Sequence, residues 1–207
     1  MDDVFPKVVF TIFGLPVRNS VISTWVMMAM IVGGVIYMRK KAPVVLEMLI
    51  DFTEDLAGSF IRGPTEIFIP FLGSLVVFIA VANLIGIVPL MVTPTRDINT
   101  PLALALVVLV AVFAFGIKVK GIGGFFKGFL SATLPLDLIG YVSRTMSLTL
   151  RLFGNVLGGE IIVFVLASLV PVGVPLVMVL LSSITGILQA YVFTVLAASY
   201  ISSMVDR

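Results

Sequence analysis

Two ionisable residues stand where the surrounding sequence is almost entirely apolar: Arg151 and Glu160, in the stretch that runs from about Leu136 to Val170. A charged side chain inside a membrane span is expensive and defaults to a functional hypothesis. Arg151 keeps its proton under any physiological condition. Near the middle of a long helix it is too deep to snorkel easily to either surface, so it needs a counter-charge or a water-filled cavity. Glu160 is a poor partner. Nine steps of an α-helix turn through roughly 900°, half a turn out of register, and rise about 13 Å. The groups sharing the Arg151 stripe are Asp137, Arg144 and Asn155. The chain thus carries a mid-membrane cation without an obvious anion of its own, and the chemistry it suggests is ion handling.

A second polar stripe lies further on. Ser182, Thr185 and Gln189 follow one another at spacings of three and four on an otherwise apolar helix. Such a stripe lines a polar path or joins two helices by hydrogen bonds. Packing it toward the Arg151 helix is the simplest arrangement. Gly154 and Gly158 form a small-xxx-small pair beside Arg151, which permits close helix approach, either within the chain or to a helix of another protein.

Missing residues exclude most other chemistry. The chain has no cysteine and no histidine. Disulfides, iron–sulfur ligation, imidazole bases, Ser-His-Asp triads and His-based metal sites are therefore ruled out. No Gly-x-x-x-x-Gly-Lys-Ser/Thr string occurs, so there is no Walker phosphate loop. An intramembrane aspartyl protease needs two aspartates within spans, and only Asp137 lies near one. Catalysis by this chain alone is not expected, nor is any cofactor or metal.

The elements that must position these residues follow from hydropathy. Of 207 residues, 60% are hydrophobic and 12% charged, with a mean hydropathy of +1.23. A soluble domain carries about twice that charge, so the chain is read as a polytopic, all-α integral membrane protein. A span needs roughly 20 apolar residues. Charge-free stretches place five, at about 19–38, 67–88 (ended by Pro89), 98–117, 136–170 and 175–205. Pro171-Val-Gly-Val-Pro175 breaks the last apolar run into two helices of roughly 52 and 46 Å, longer than the bilayer core. These last two spans are expected to form a long, tilted hairpin. Residues 44–62 place Glu47, Asp51, Glu54 and Asp55 on one face, with Leu46, Leu49, Ile50 and Phe60 elsewhere. That pattern fits an interfacial amphipathic helix, or a helix packed on the protein.

Arg39, Lys40, Lys41, Arg62, Lys118, Lys120, Lys127 and Arg207 fall on one side, eight against the three of Lys7, Arg18 and Arg96. The positive-inside rule then puts the N-terminus outside and the C-terminus in the cytoplasm of a cell membrane. The acidic start, Met1-Asp2-Asp3, is unlike a secretory leader, so the first span is expected to be retained. No internal repeat is visible, and a single domain is expected over 1–207.

The run Ser147-Leu-Thr-Leu-Arg151-Leu-Phe-Gly-Asn155, followed by Glu160 and by Gln189 on the next helix, resembles subunit a of F-type ATP synthases. Asn83-Leu-Ile-Gly86-Ile-Val-Pro89 and Pro94-Thr-Arg-Asp97-Ile-Asn99-Thr-Pro101 resemble the same family's second span end and the loop beyond it. The resemblance covers nearly the whole chain. It implies a stator channel beside a rotating ring of c subunits, with peripheral-stalk b subunits and the soluble ATPase head as further partners, a proton or sodium ion as cargo, and no nucleic acid. By resemblance, Arg151 meets the ring carboxylates and separates two half-channels, and Glu160 belongs to the outer one. Asn155, Gln189, Asn83 and Asp97 are lining candidates. Arg144 lines the inner half-channel or snorkels to the interface. Two departures are visible. Some family members carry a histidine on the last helix, where this chain has Ser182 or Ser183. Arg96 stands where a small residue is common. The competing class is a small secondary transporter, which predicts paired repeats that the sequence lacks; a non-conducting scaffold leaves Arg151 and Glu160 unexplained.

Overall fold

The computed structural model describes residues 8–12, 15–61, 65–87, 93–129, 134–170 and 173–205. Pro89, Arg62, Lys7 and Arg207 lie outside them, as do the side chains of Lys127 and Asp137. The chain begins with a feature absent from the sequence expectation, a short antiparallel hairpin of β1 (Val8–Ile12) and β2 (Leu15–Arg18). Its valines, threonine and isoleucine suit a pleated strand, but five residues carry too little pattern to announce one.

Six helices follow: α1 (Asn19–Lys41), α2 (Pro43–Phe60), α3 (Ile69–Leu84), α4 (Asn99–Phe129), α5 (Leu134–Leu169) and α6 (Val174–Val205). All but α2 contain segments long and apolar enough to cross a membrane. The architecture is that of an all-α, multi-pass membrane protein. Between α3 and α4 lie two single 3₁₀ turns, Ile85–Ile87 and Pro94–Arg96. α4 runs further than the expected 98–117 and is broken at Gly121, where φ is +73°; a side chain there would meet its own backbone. The turn into α6 uses Gly173 at φ +87° in the same way.

At 36 and 32 residues, α5 and α6 would be roughly 54 and 48 Å long, well beyond a hydrocarbon core of about 30 Å. They lie antiparallel. Gly159 meets Ser182, Arg144 bonds Ser203, and Tyr141 reaches Met204. The core gathers Leu72, Leu75 and Ile79 of α3, Val108 and Val112 of α4, Leu148 and Leu152 of α5, and Phe193, Ala197 and Ile201 of α6. Lipid tails are as apolar as leucine, so burial alone cannot hold such helices together; close packing of small residues must. The small face of α6, with Gly186, Ala190, Ala197 and Ala198 all buried, supplies it.

α2 combines both expected readings. Thr53, Leu56 and Ala57 are buried, with Thr53 close over Gly73 of α3, and Phe60 accepts a 2.6 Å hydrogen bond from Ser202 of α6 through its carbonyl. The four acids are exposed on another face. Val45, Met48 and Phe52 form an exposed apolar flank between the two, as a helix at a membrane surface would present. α1 is peripheral. Met27 packs on Ala82 and Ile85, while Trp25, Met28, Val32 and Ile36 face outward.

A polar clasp fixes the start of α1 to the start of α4. Asp97, 4% exposed, accepts hydrogen bonds from Arg18 Nη1 (3.1 and 3.2 Å), from the Ser20 hydroxyl (3.0 Å), and from the backbone N–H (3.2 Å) and side-chain amide (2.9 Å) of Asn99. Burial pushes the Asp97 carboxyl up. The Asn99 N–H, the Arg18 and Ser20 bonds and the Arg18 charge outweigh it, leaving the group below the usual aspartate range.

Two expectations follow. Asp97→Ala strands four donor groups of three residues and should destabilise the detergent-solubilised protein by about 1–3 kcal/mol, lowering its thermal midpoint. Because the folded carboxyl is depressed, the clasp's contribution is complete above the ordinary aspartate range and disappears as pH falls through the lower folded value. An Asp97→Ala midpoint equal to wild type near neutral pH would dismiss the clasp. Separately, a Cβ at Gly186 would stand 2.9 Å from the Cβ of Asn83, whereas one at Gly154 would meet nothing within 4 Å. Gly186→Ala should therefore cost about 1–3 kcal/mol by overpacking, against a helix-propensity gain of about 1 kcal/mol. Gly154→Ala shows the gain alone. Matching melting curves for the two variants would contradict this packing.

Candidate functional site

A cavity of about 500 Å³ opens between the C-terminal end of α3, the turn Pro94–Arg96, and the facing stretches of α5 and α6. Asn83 is the strut of its wall. Its amide nitrogen donates to the Gly186 carbonyl at 3.0 Å. Its amide oxygen accepts from the Thr95 hydroxyl, also at 3.0 Å. One side chain thereby joins α3, α6 and the loop, and the missing Cβ of Gly186 lets the two helices come close enough.

The loop so held delivers Arg96 into the cavity. Arg96 Nη1 stands 3.2 Å from Glu160 Oε2, with the arginine side chain 11% exposed and the glutamate 29%. Glu160, which has no good partner on its own helix, is thus paired from a loop 64 residues earlier. Asn155, Ser182, Ser183 and Thr93 complete the polar part of the wall, and Val163, Phe164 and Val179 the apolar part. Sequence reasoning set Arg96 aside as a departure. The signal that could have found it was the unmatched charge of Glu160 together with an arginine at the same end of the bundle.

Arg151 stands elsewhere. It is exposed, does not line the cavity, and makes no hydrogen bond or ion pair to another described residue. Gly154 and Gly158 beside it face open space, so internal packing is not what these two glycines serve. The glycine that admits α6 is Gly159, where a Cβ would come within 2.9 Å of the Ser182 hydroxyl.

The remaining candidates divide. Gln189 is buried at 8% exposure, and its Nε2 has no hydrogen-bond partner among the described residues. Ser183 and Thr185 bond carbonyls of their own helix, at Val179 and Ser182, rather than bridging to α5. Asp97 is absorbed in the α1–α4 clasp and stands apart from the cavity lining. Arg144 turns to α6, donating to the Ser203 hydroxyl at 3.1 Å and lying 4.9 Å from the Tyr200 ring centre. Despite sharing a stripe with Arg151 in the sequence, it is half-buried and bound. With Lys120, whose ammonium donates to the Met204 carbonyl at 2.8 Å, Arg144 places positive charge at the C-terminal end of α6, where a helix dipole favours it.

The contacts also sort the loops. Arg18 meets Asp97 and Arg96 meets Glu160 at one end of the bundle, while Lys120 meets the end of α6 at the other.

The protein-family model described as ATP synthase A chain matches residues 20–202. Among curated proteins, ATP synthase subunit a 2 of Picosynechococcus sp. is 37% identical over 90% of this chain and 85% of its own length. Its counterpart in Bradyrhizobium sp. is 34% identical over 95% and 92%. ATP synthase subunit a of Moorella thermoacetica is 32% identical over 99% of each. With the long α5–α6 hairpin, an exposed arginine on α5 and a polar cavity that this arginine does not line, the chain belongs to the ATP synthase subunit a family, the non-catalytic membrane-sector subunits of the F-type complex.

Proposed function

We propose that this chain is the ion-translocating stator subunit of a rotary ATP synthase, with two half-channels that load and unload ions on the carboxylates of a c ring, and with Arg151 between them. The observation that supports it most is the separation of the two charges of α5. An arginine without a partner among the described residues is exposed beside two open glycines, while Glu160 lines a cavity that Arg151 does not.

The mechanism follows from electrostatics. A ring carboxylate facing lipid must be neutralised by a bound ion, because a bare charge there costs several kcal/mol. Opposite Arg151 the ion-free carboxylate is favoured, since an adjacent cation stabilises the anion. The ion departs through one half-channel, the ring advances, and the next ion enters through the other. The fixed positive charge of Arg151 blocks a direct leak between the two. Gly154 and Gly158 let the ring helix come close. Glu160, Asn155, Asn83 and Ser182 line the outer half-channel, with Gln189 beside the path. Arg144 marks the inner side. Basic-residue placement puts the N-terminus outside and the C-terminus in the cytoplasm. Each charge driven across 100 mV releases about 2.3 kcal/mol, so several are needed per ATP made. The b subunits of the peripheral stalk hold the chain against the ring's torque. The coupling ion is a proton or sodium, and without histidine a proton must travel through water and carboxylates.

The deciding experiment reconstitutes the purified complex in vesicles and drives ATP synthesis with a sodium gradient or a pH gradient at equal membrane potential. One gradient should support synthesis, and Arg151→Ala should abolish it while the soluble head still hydrolyses ATP. Glu160→Gln should slow transport. Gly154→Leu should leave the isolated chain folded yet uncouple the complex, because the added bulk meets only the ring. Synthesis indifferent to both gradients, or retained by Arg151→Ala, would overturn the proposal in favour of a transporter or scaffold.

A further inference from the structure

The stator reading leaves Arg96 unexplained. Its side chain is only 11% exposed, it lies within the polar cavity rather than on the open face, and its guanidinium contacts the carboxylate that the ion pathway needs. The turn that carries it is anchored at two points. The Arg96 N–H donates to the Thr93 carbonyl at 3.1 Å, and the neighbouring Thr95, fully buried, is tied to Asn83. A loop fixed this firmly holds the guanidinium at a set place in the cavity. The polar groups around Glu160 are Thr93 and Arg96 from the turn, Asn83 from α3, Asn155 from α5 and Ser182 and Ser183 from α6. Arg96 is the one charged group facing Glu160 among these lining residues.

We propose that Arg96 is the resident counter-ion of the cavity, a positioning residue that orients the Glu160 carboxylate and is the cation that an arriving ion must displace from it. This rests on reading the cavity as an ion path. A carboxylate alone in a narrow cavity would hold a proton or metal ion tightly and release it slowly. Paired at 3.2 Å with a guanidinium, the same carboxylate is already compensated, so an entering ion gains less and leaves sooner. An adjacent cation favours the charged carboxylate. The pair therefore keeps the Glu160 carboxylate compensated between one ion and the next.

The test uses the whole complex in vesicles. ATP synthesis is driven by a potassium diffusion potential, with pH equal on both sides and stepped together. Removing the guanidinium with Arg96→Gln should move the acid limb of the rate profile to higher pH by about 1–3 units. Arg96→Lys, which keeps the charge, should restore most of the wild-type profile. Arg96→Gln combined with Glu160→Gln should match Glu160→Gln alone. Should Arg96→Gln fail to assemble, Arg96→Met keeps the aliphatic packing and gives the same reading. An Arg96→Gln or Arg96→Met profile superimposable on wild type, where Glu160→Gln alters it, would reduce Arg96 to packing and overturn this inference while the ion path stands. If Glu160→Gln also leaves synthesis unchanged, the cavity is not the path and both fall.

Discussion

The side chain of Asn83 carries more of this architecture than its size suggests. Its amide is satisfied at both ends, by a backbone carbonyl of α6 and by a hydroxyl of the following loop. In a hydrocarbon surrounding an unpaired amide is costly, so the bridge sets the distance between α3 and α6 and the position of the turn that carries Arg96. The glycine opposite is part of the same constraint, because a methyl group there would push the strut away. The cavity, the ion pair within it and the orientation of Glu160 depend on this single three-way junction.

α5 then separates two electrostatic problems by geometry. Arg151 and Glu160 are nine residues apart, and the half-turn mismatch that prevents them from neutralising each other gives each a distinct environment. Glu160 is compensated inside the chain by Arg96. Arg151 is exposed and has no partner among the described residues. The glycines follow the same division: Gly159 receives Ser182, and Gly154 and Gly158 remain clear.

The membrane helices were legible in the sequence because hydropathy reports directly on the solvent that surrounds them. Five helices long and apolar enough to cross a membrane are present, although α4 runs well past residue 117. Long-range polar contacts were not legible. The pairing of Arg96 with Glu160 spans 64 residues and that of Arg18 with Asp97 spans 79, and periodicity along one helix contains no information about a loop elsewhere. Helical spacing assigned Arg144 and Arg151 to one stripe, yet α6 extends far enough past Arg144 to offer Ser203 and Tyr200 and thereby claim it. The small-residue rule left open whether Gly154 and Gly158 serve contact within the chain or with another protein, and it passed over Gly159, which meets α6, because it scores spacing rather than which face a neighbour occupies. The N-terminal hairpin gave no signal that five residues could carry.

The clasp between Arg18, Ser20 and Asp97 bears on how the protein is made. Its acceptor emerges from the ribosome 77 to 79 residues after its donors, an interval of about 4–16 s at ordinary rates of synthesis. Through that interval α1 can pack on α2 and α3 as they are made, but its N-terminal end still lacks the carboxylate that holds it. The clasp on the first span thus closes only once three helices have been made, when Asp97 arrives at the threshold of α4.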